Sequence, residues 1–289
     1  MSIAMNSYCV DCLLKKHTQA ARALGDDQTA YAFSRALMEL FVRAPEGESS
    51  AVLGAKINTL YQHFFGMPKD RFREEKEMSN RFVLAHLEEV RHRVRQAQDP
   101  VLTGLQFAIM GNYIDFSALG KSVSFEVLEQ MLTQPERFAF DGQMYDRFCR
   151  ELSQAGSLLY LTDNAGEIGF DWVLAEELHR RYPALNITFC VRGGPAHNDA
   201  TREDYEYMGI PFPVIDSGSD VGGTDLSCIS EETKKALYSA DVILAKGMGN
   251  TETLYGSGLP VYFAFLAKCQ RLQQVFQATF MQPILIREP

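Results

Sequence analysis

Three short stretches concentrate the side chains that can do chemistry. Asp163-Asn164-Ala165-Gly166-Glu167 follows an apolar run at 158–161. Arg192-Gly193-Gly194-Pro195-Ala196-His197-Asn198-Asp199 follows a second run at 187–191. Lys246-Gly247-Met248-Gly249-Asn250-Thr251-Glu252 follows a third at 242–245. Asp163 and Asp199 are carboxylates and Asn164 offers a neutral amide oxygen. An all-oxygen donor set of this kind suits a hard divalent cation and leaves positions for water and a substrate oxygen. Lys246 adds a point charge and Arg192 a planar fork, while the glycines let backbone N–H groups approach an anion closely. The pattern is that of a hard cation beside a bound anion such as a phosphate.

Each stretch alone has a plainer reading. Asp and Asn after a strand are common turn and helix-capping residues, and Arg192-Gly193-Gly194-Pro195 can be only a turn. Asp171, Glu176 and Glu177 read as solvated or capping charges on the next helix, and His197 as a surface histidine rather than a general base. The glycine-rich run at 218–225 either cradles an anion or is simply flexible; it lacks the P-loop lysine and the G-x-G-x-x-G spacing. Convergence favours a site. Three polar strand ends on one parallel sheet meet at its carboxyl edge, where open α/β sheets bind ligands.

Such a site needs strands alternating with helices, and the sequence supplies them after about residue 150. Strand-like runs at 158–161, 187–191 and 242–245, with further candidates at 259–265 and 284–286, alternate with helical segments such as 170–182. That order indicates an α/β fold with a parallel or mixed sheet and helices on both faces. Before residue 150 the pattern is helical, with apolar residues at a period near 3.6 over 29–42, 51–65 and 72–97. The charged run on the last of these reads as a solvated face. The next run, 101–119, is nearly apolar except around Gly111-Asn112-Tyr113-Ile114-Asp115-Phe116. Asn112 and Asp115 would cost free energy there without partners. They mark either a helix break bonded to its own backbone or a break facing the cleft. The expected organisation is a helical domain at 1–150 capping an α/β catalytic domain at 151–289.

Composition narrows the function classes. The 289 residues carry 28 Lys and Arg against 37 Asp and Glu, a formal charge of −9, with 46% hydrophobic residues. An acidic globular chain is poorly suited to nucleic acid or anionic membranes, although a bound divalent cation would still admit an anionic small molecule. No export signal or membrane-span-length apolar run is visible, so the six cysteines are expected as reduced thiols in a cytoplasmic protein. Cys9-Val10-Asp11-Cys12 is a weak motif by itself; His17 offers a third ligand and nothing nearby a fourth.

These residues together resemble the damage-control phosphatase family. The match is carried by Asp163-Asn164-Ala165-Gly166-Glu167-Ile168 with Phe170-Asp171, by Val191-Arg192, Pro195 and Asn198-Asp199, and by Ala245-Lys246-Gly247-x-Gly-Asn250-x-Glu252. Gly111-Asn112-x-Ile114-Asp115-Phe116 resembles a fourth motif, and Cys9-x-x-Cys12 the prokaryotic branch. The resemblance implies a Rossmann-like three-layer α/β/α core with an N-terminal all-helical domain. It implies one divalent metal (Mn, Ni, Co or Mg) held by Asp163, Asn164 and Asp199, with Lys246 as a fourth catalytic residue. Lys246 and Asn250 are expected at the substrate phosphate, with Arg192, Glu167, Asn112 and Asp115 as further substrate-side candidates and Glu167 orienting water. The expected substrates are small phosphorylated metabolites such as sugar phosphates or phosphopantetheine-like compounds. Met248 and Thr251 depart from the Gln and aromatic residue of the family pattern, which bears on substrate preference. The alternatives are an S-adenosylmethionine-dependent carboxyl methyltransferase and a non-catalytic phosphometabolite-binding protein.

Overall fold

In the computed structural model, residues 3–288 are described. The chain opens with seven helices: α1 (Ser7–Leu24), α2 (Asp27–Arg43), α3 (Ser50–Phe65), α4 (Arg73–Gln96), α5 (Pro100–Gly111), α6 (Phe125–Leu132) and α7 (Gly142–Leu152). Short polar residues start most of them. Asn6, Asp26, Ser49, Asp99, Ser124 and Asp141 each accept a hydrogen bond from an otherwise orphaned N–H of the first turn.

Strand and helix then alternate: β1 (Ser157–Leu161), α8 (Glu167–Arg181), β2 (Asn186–Val191), α9 (Arg202–Met208), β3 (Val214–Asp216), α10 (Glu231–Ser239), β4 (Val242–Lys246), α11 (Gly247–Leu254), β5 (Val261–Leu266), α12 (Gln270–Phe276) and β6 (Pro283–Arg287). The sheet order is β3-β2-β1-β4-β5-β6, parallel except for β6, which pairs antiparallel with β5. The chain order reverses between β1 and β4, and that switch point is where such sheets open a crevice. β3 is the strand that the sequence pattern does not reveal. It has three residues, none buried, just after Pro211 and Pro213, too few for a period to show.

One sheet face carries Leu158, Tyr160, Phe189, Leu244 and Tyr262, packed against α4, α5, α7 and α8. The other carries Leu161, Ile243, Phe263 and Phe265, packed against Leu237, Leu254 and Leu272 of α10, α11 and α12. Three layers result. The chain changes from helices to strands near residue 150, but the cores divide elsewhere. α1–α3 enclose their own cluster around Phe33, Leu37, Leu53, Ile57 and Tyr61, whereas α4–α7 share the core of the sheet. Among the described residues no helix is long and apolar enough to cross a membrane.

Helix α4 lies so close to α8 that Gly169 has no room for a side chain. A Cβ there would stand 2.6 Å from Val83 Cγ1 and 2.8 Å from Met208 Cε. Gly169→Val should therefore lower stability by about 1–3 kcal/mol through overpacking. Urea unfolding checks this, and an unshifted midpoint would contradict the close packing.

Candidate active site at the carboxyl edge of the sheet

The three sequence clusters converge. After β1 the backbone turns so that Asn164 pairs with Asp199 in an antiparallel bridge. Ala200 N donates to Asp163 O (2.7 Å) and Ala165 N to Asn198 O (2.9 Å). Asp163 and Asp199, thirty-six positions apart in the chain, are thereby locked into one cluster. Arg192 Nε donates to Asp199 Oδ2 at 2.7 Å. On the far side, Gly247 opens α11 at φ +78°, and any side chain there would collide with the Asp163 carboxylate.

The break at the end of α5 faces this site. Asn112 is fully buried, and its Nδ2 donates to Asp163 Oδ2 (2.8 Å) and to Glu167 Oε2 (3.1 Å). Its Oδ1 accepts from Leu266 N at 3.1 Å. One side chain thus ties the helical half to two strand ends, which explains an Asn inside an apolar run. Asp115 pairs with Lys268 Nζ (2.7 Å) and accepts from Ala118 N (2.8 Å).

Lys246 does not stand in an open cleft. Its ammonium is completely buried and donates to Glu167 Oε1 (2.7 Å), Asp171 Oδ1 (2.7 Å) and Ala108 O (2.8 Å), and an ammonium has three donors. Burial disfavours its charge, but Asp171 and Glu167 outweigh that and push its pKa up. Glu167 likewise spends its carboxylate on Lys246, Asn112 and Asn164 (Nδ2 to Oε2, 2.7 Å). Both are bonded to other side chains in this arrangement. The expected solvated role of Asp171 is also corrected, since Asp171 is fully buried and accepts from Tyr160 Oη at 2.7 Å.

Asn250 is buried as well. Its amide donates to Thr162 O (3.0 Å) and Lys246 O (2.7 Å), and its oxygen accepts from Arg192 Nη1 (3.2 Å) and Thr224 Oγ1 (2.8 Å). Through Thr224 and the contact of Gly222 with Gly249, the 218–225 loop is packed on α11. Of the Arg192 nitrogens, Nη2 is buried with no hydrogen-bond partner, 3.9 Å from Asp163 Oδ1. Thr251, one of the two departures from the family pattern, is buried and donates to Gly247 O.

Three residues bonded into the site were given no site role in the sequence reading. Asn198 donates to Asn164 Oδ1 (2.9 Å) and to Ile114 O (3.1 Å). Lys268 donates to Asn112 O (2.5 Å) as well as to Asp115, and Asp171 anchors Lys246. Lys268 had a signal: it follows β5 as a fourth polar strand end. His197 is half-buried, not a surface group. Burial, then Lys16 and Arg71, push its pKa down to about 4.

Charge counting tests whether a cation fits. The ion-paired cluster holds five carboxylates (Asp115, Asp163, Glu167, Asp171, Asp199) and three cations (Lys246, Lys268, Arg192). With all five ionised the formal surplus is two negative charges, which one divalent cation would balance. Burial, then the Asp199 and Glu167 charges, raise the Asp163 pKa well above the carboxylate range, and burial also raises Asp199 against the pull of Arg192. Among the described residues no group of three or more His, Cys, Asp or Glu is set to hold a metal. A cation here therefore depends on the amide of Asn164, whose oxygen keeps a second lone pair beyond the bond from Asn198. Cys9 and Cys12 are free thiols, and His17 is committed to Tyr61 Oη (2.9 Å), so that pair gains no third ligand from it.

The family model described as the Damage-control phosphatase ARMT1-like domain matches residues 5–279. The chain belongs to this damage-control phosphatase family. A relative from Archaeoglobus fulgidus named as a damage-control phosphatase is 33% identical over 270 residues, 91% of each chain. An uncharacterized protein of Methanocaldococcus jannaschii is 32% identical over 284 residues, covering 93% of this chain and 90% of that one. The crystal structure of a DUF89 family protein from Pyrococcus horikoshii superimposes with a TM-score of 0.83 at 26% identity, covering all of both chains.

Two expectations follow for this damage-control phosphatase family member. Lys246→Met should leave Glu167 and Asp171 buried without a counter-ion and cost about 3–5 kcal/mol of stability. A variant as stable as wild type in denaturant unfolding would refute this buried-pair role. Glu252 of α11 accepts from Ser50 Oγ of α3, and burial lifts its pKa from 4.5 to about 7. Between those values the folded protein binds more protons than the unfolded chain, so stability falls as pH rises across that window. Glu252→Gln should flatten this fall and exceed wild type by about 1–3 kcal/mol at pH 8. Unfolding curves from pH 4 to 8 provide the check, and parallel pH profiles would refute it.

Proposed function

We propose that the chain is a metal-dependent phosphatase acting on phosphate monoesters of small phosphorylated metabolites, such as sugar phosphates or phosphopantetheine-like compounds, in a damage-control role. Family membership supports the phosphatase assignment. The observation that carries the metal dependence is the formal surplus of two negative charges around Asp163 and Asp199. Asp163, Asn164 and Asp199 would hold Mn²⁺, Ni²⁺, Co²⁺ or Mg²⁺. Such an ion, when bound, neutralises phosphoryl oxygens and lowers the pKa of a coordinated water.

The chain's own residues then divide the work. Asn112 orients Asp163, and Arg192 Nε orients Asp199. Arg192 Nη2, buried without a partner, is the donor for a phosphoryl oxygen. The first turn of α11, which no side chain caps, adds backbone N–H groups beside Asp163. Lys246 holds Glu167, and Glu167 holds the Asn164 amide, so Lys246 serves as a positioning residue. Lys268, whose charge acts on Asp163, supplies the positive field expected of Lys246. Water is the nucleophile, because Asp163 is committed as a ligand.

Hydrolysis of p-nitrophenyl phosphate with each of the four cations, with and without chelator, tests this reading. Asp163→Asn and Asp199→Asn should each lower kcat/KM by about 100-fold or more while the circular dichroism spectrum is unchanged. Full activity in chelator, or in both variants, would overturn it.

A further inference from the structure

The cations inside the site all face carboxylates, but two at its rim do not. Lys16 of α1 and Arg71, between α3 and α4, form no ion pair with a carboxylate among the described residues. Lys16 is solvent-exposed yet walled by protein, as expected for a group lining a concave surface. Its Nζ donates to Ser117 O at 2.5 Å, Ser117 N donates to Asn198 Oδ1 at 3.2 Å, and Asn198 bonds Asn164. Two residues thus link Lys16 to the ligand pair. Arg71 lies with its guanidinium 3.9 Å from the centre of the Tyr61 ring and its Nε bonded to Asn58 Oδ1 at 2.6 Å.

His197 lies near Asp199 and feels the charge of both cations. A Cβ at Gly222 would be 3.3 Å from His197 Cδ2 and 3.9 Å from Asp199 Oδ2, and one at Gly54 of α3 would be 2.9 Å from His197 Nε2. A polar cavity of about 220 Å³ is walled by Asn58, Gln62, His197 and the Lys69–Asp220 pair, and Asn58 is the residue through which Arg71 touches its wall. Burial lowers the pKa of Lys16 and of Arg71; Asp115 opposes this at Lys16 and Tyr61 and Glu75 oppose it at Arg71, while the Arg71 charge lowers Lys16 further. Two like charges near one another, neither in direct contact with a carboxylate, are relieved by an anion that accepts from both.

We propose that Lys16 and Arg71 hold a second anionic group of the substrate, a carboxylate or a second phosphate, remote from the phosphate that is cleaved. The preferred class is then a small phosphometabolite with an anion at each end. This rests on the phosphatase reading for the reacting end.

The test is calorimetric binding to the Mn²⁺-loaded full chain. The probes are the phosphonate analogues of glucose 6-phosphate and 6-phosphogluconate, in which methylene replaces the ester oxygen and prevents turnover. Wild type should bind the carboxylate-bearing probe about tenfold more tightly. Lys16→Met and Arg71→Gln should each remove most of that preference and leave the other probe within about twofold of wild type. No preference in wild type, no binding of either probe, or a preference that survives in both variants overturns the proposal. Equal weakening of both probes also overturns it, by assigning the two cations to the reacting phosphate. Lys16 is exposed on its helix, so Lys16→Met decides the matter should Arg71→Gln not fold. Failure of wild type to hydrolyse p-nitrophenyl phosphate would sink the phosphatase reading alone, because the probe preference does not depend on turnover.

Discussion

The juxtaposition of Asp163 and Asp199 is the constraint on which the rest of the structure depends. Two carboxylates held in one buried cluster repel, and removal from water makes each charge more costly. The protein answers with cations drawn from three other strand ends: Arg192 after β2, Lys246 at the end of β4 and Lys268 after β5. Their supply is deliberately incomplete in physical terms, since Glu167, Asp171 and Asp115 absorb the two lysines. What remains is a formal surplus of negative charge around Asp163 and Asp199, surrounded by groups that already have partners.

That arrangement also explains why a helical segment of this length precedes the sheet. Asn112 caps α5, bonds Asp163 and Glu167, and accepts from the β5 backbone. Lys246 completes its donor set with Ala108 O of the same helix. The α5–α8 contact is therefore part of the site's electrostatics and not only of its packing. α1–α3 have a separate core and carry Lys16 on α1 and Tyr61, the ring under Arg71, on α3. The carboxylate cluster and the α1–α3 core thus belong to different packing units.

Much of this was legible before any coordinates. Apolar runs ending in Asp-Asn, Arg-Gly-Gly and Lys-Gly marked three strand ends, and the Asn and Asp within 101–119 marked a costly exception that needed partners. β3 was not legible, because three residues between prolines and a glycine-rich loop carry no period. The roles of Lys246 and Asp171 were not legible either. A lysine after a strand looks the same whether it meets a ligand or a buried acid. His197 looked like a surface residue because its neighbours in sequence are turn-formers, while its neighbours in space come from α3 and the 218–225 loop.

By itself the sequence determined the alternation of elements, the oxygen-donor chemistry of Asp163, Asn164 and Asp199, and the family. These are local properties: hydrophobic period, residue type and spacing along the chain. Only the tertiary structure decided which charges neutralise which. Ion pairing and desolvation depend on distances across the fold, and Lys246 meets Asp171 over 75 positions while Lys268 meets Asp115 over a still longer separation. The formal charge left at the centre is the remainder of that pairing.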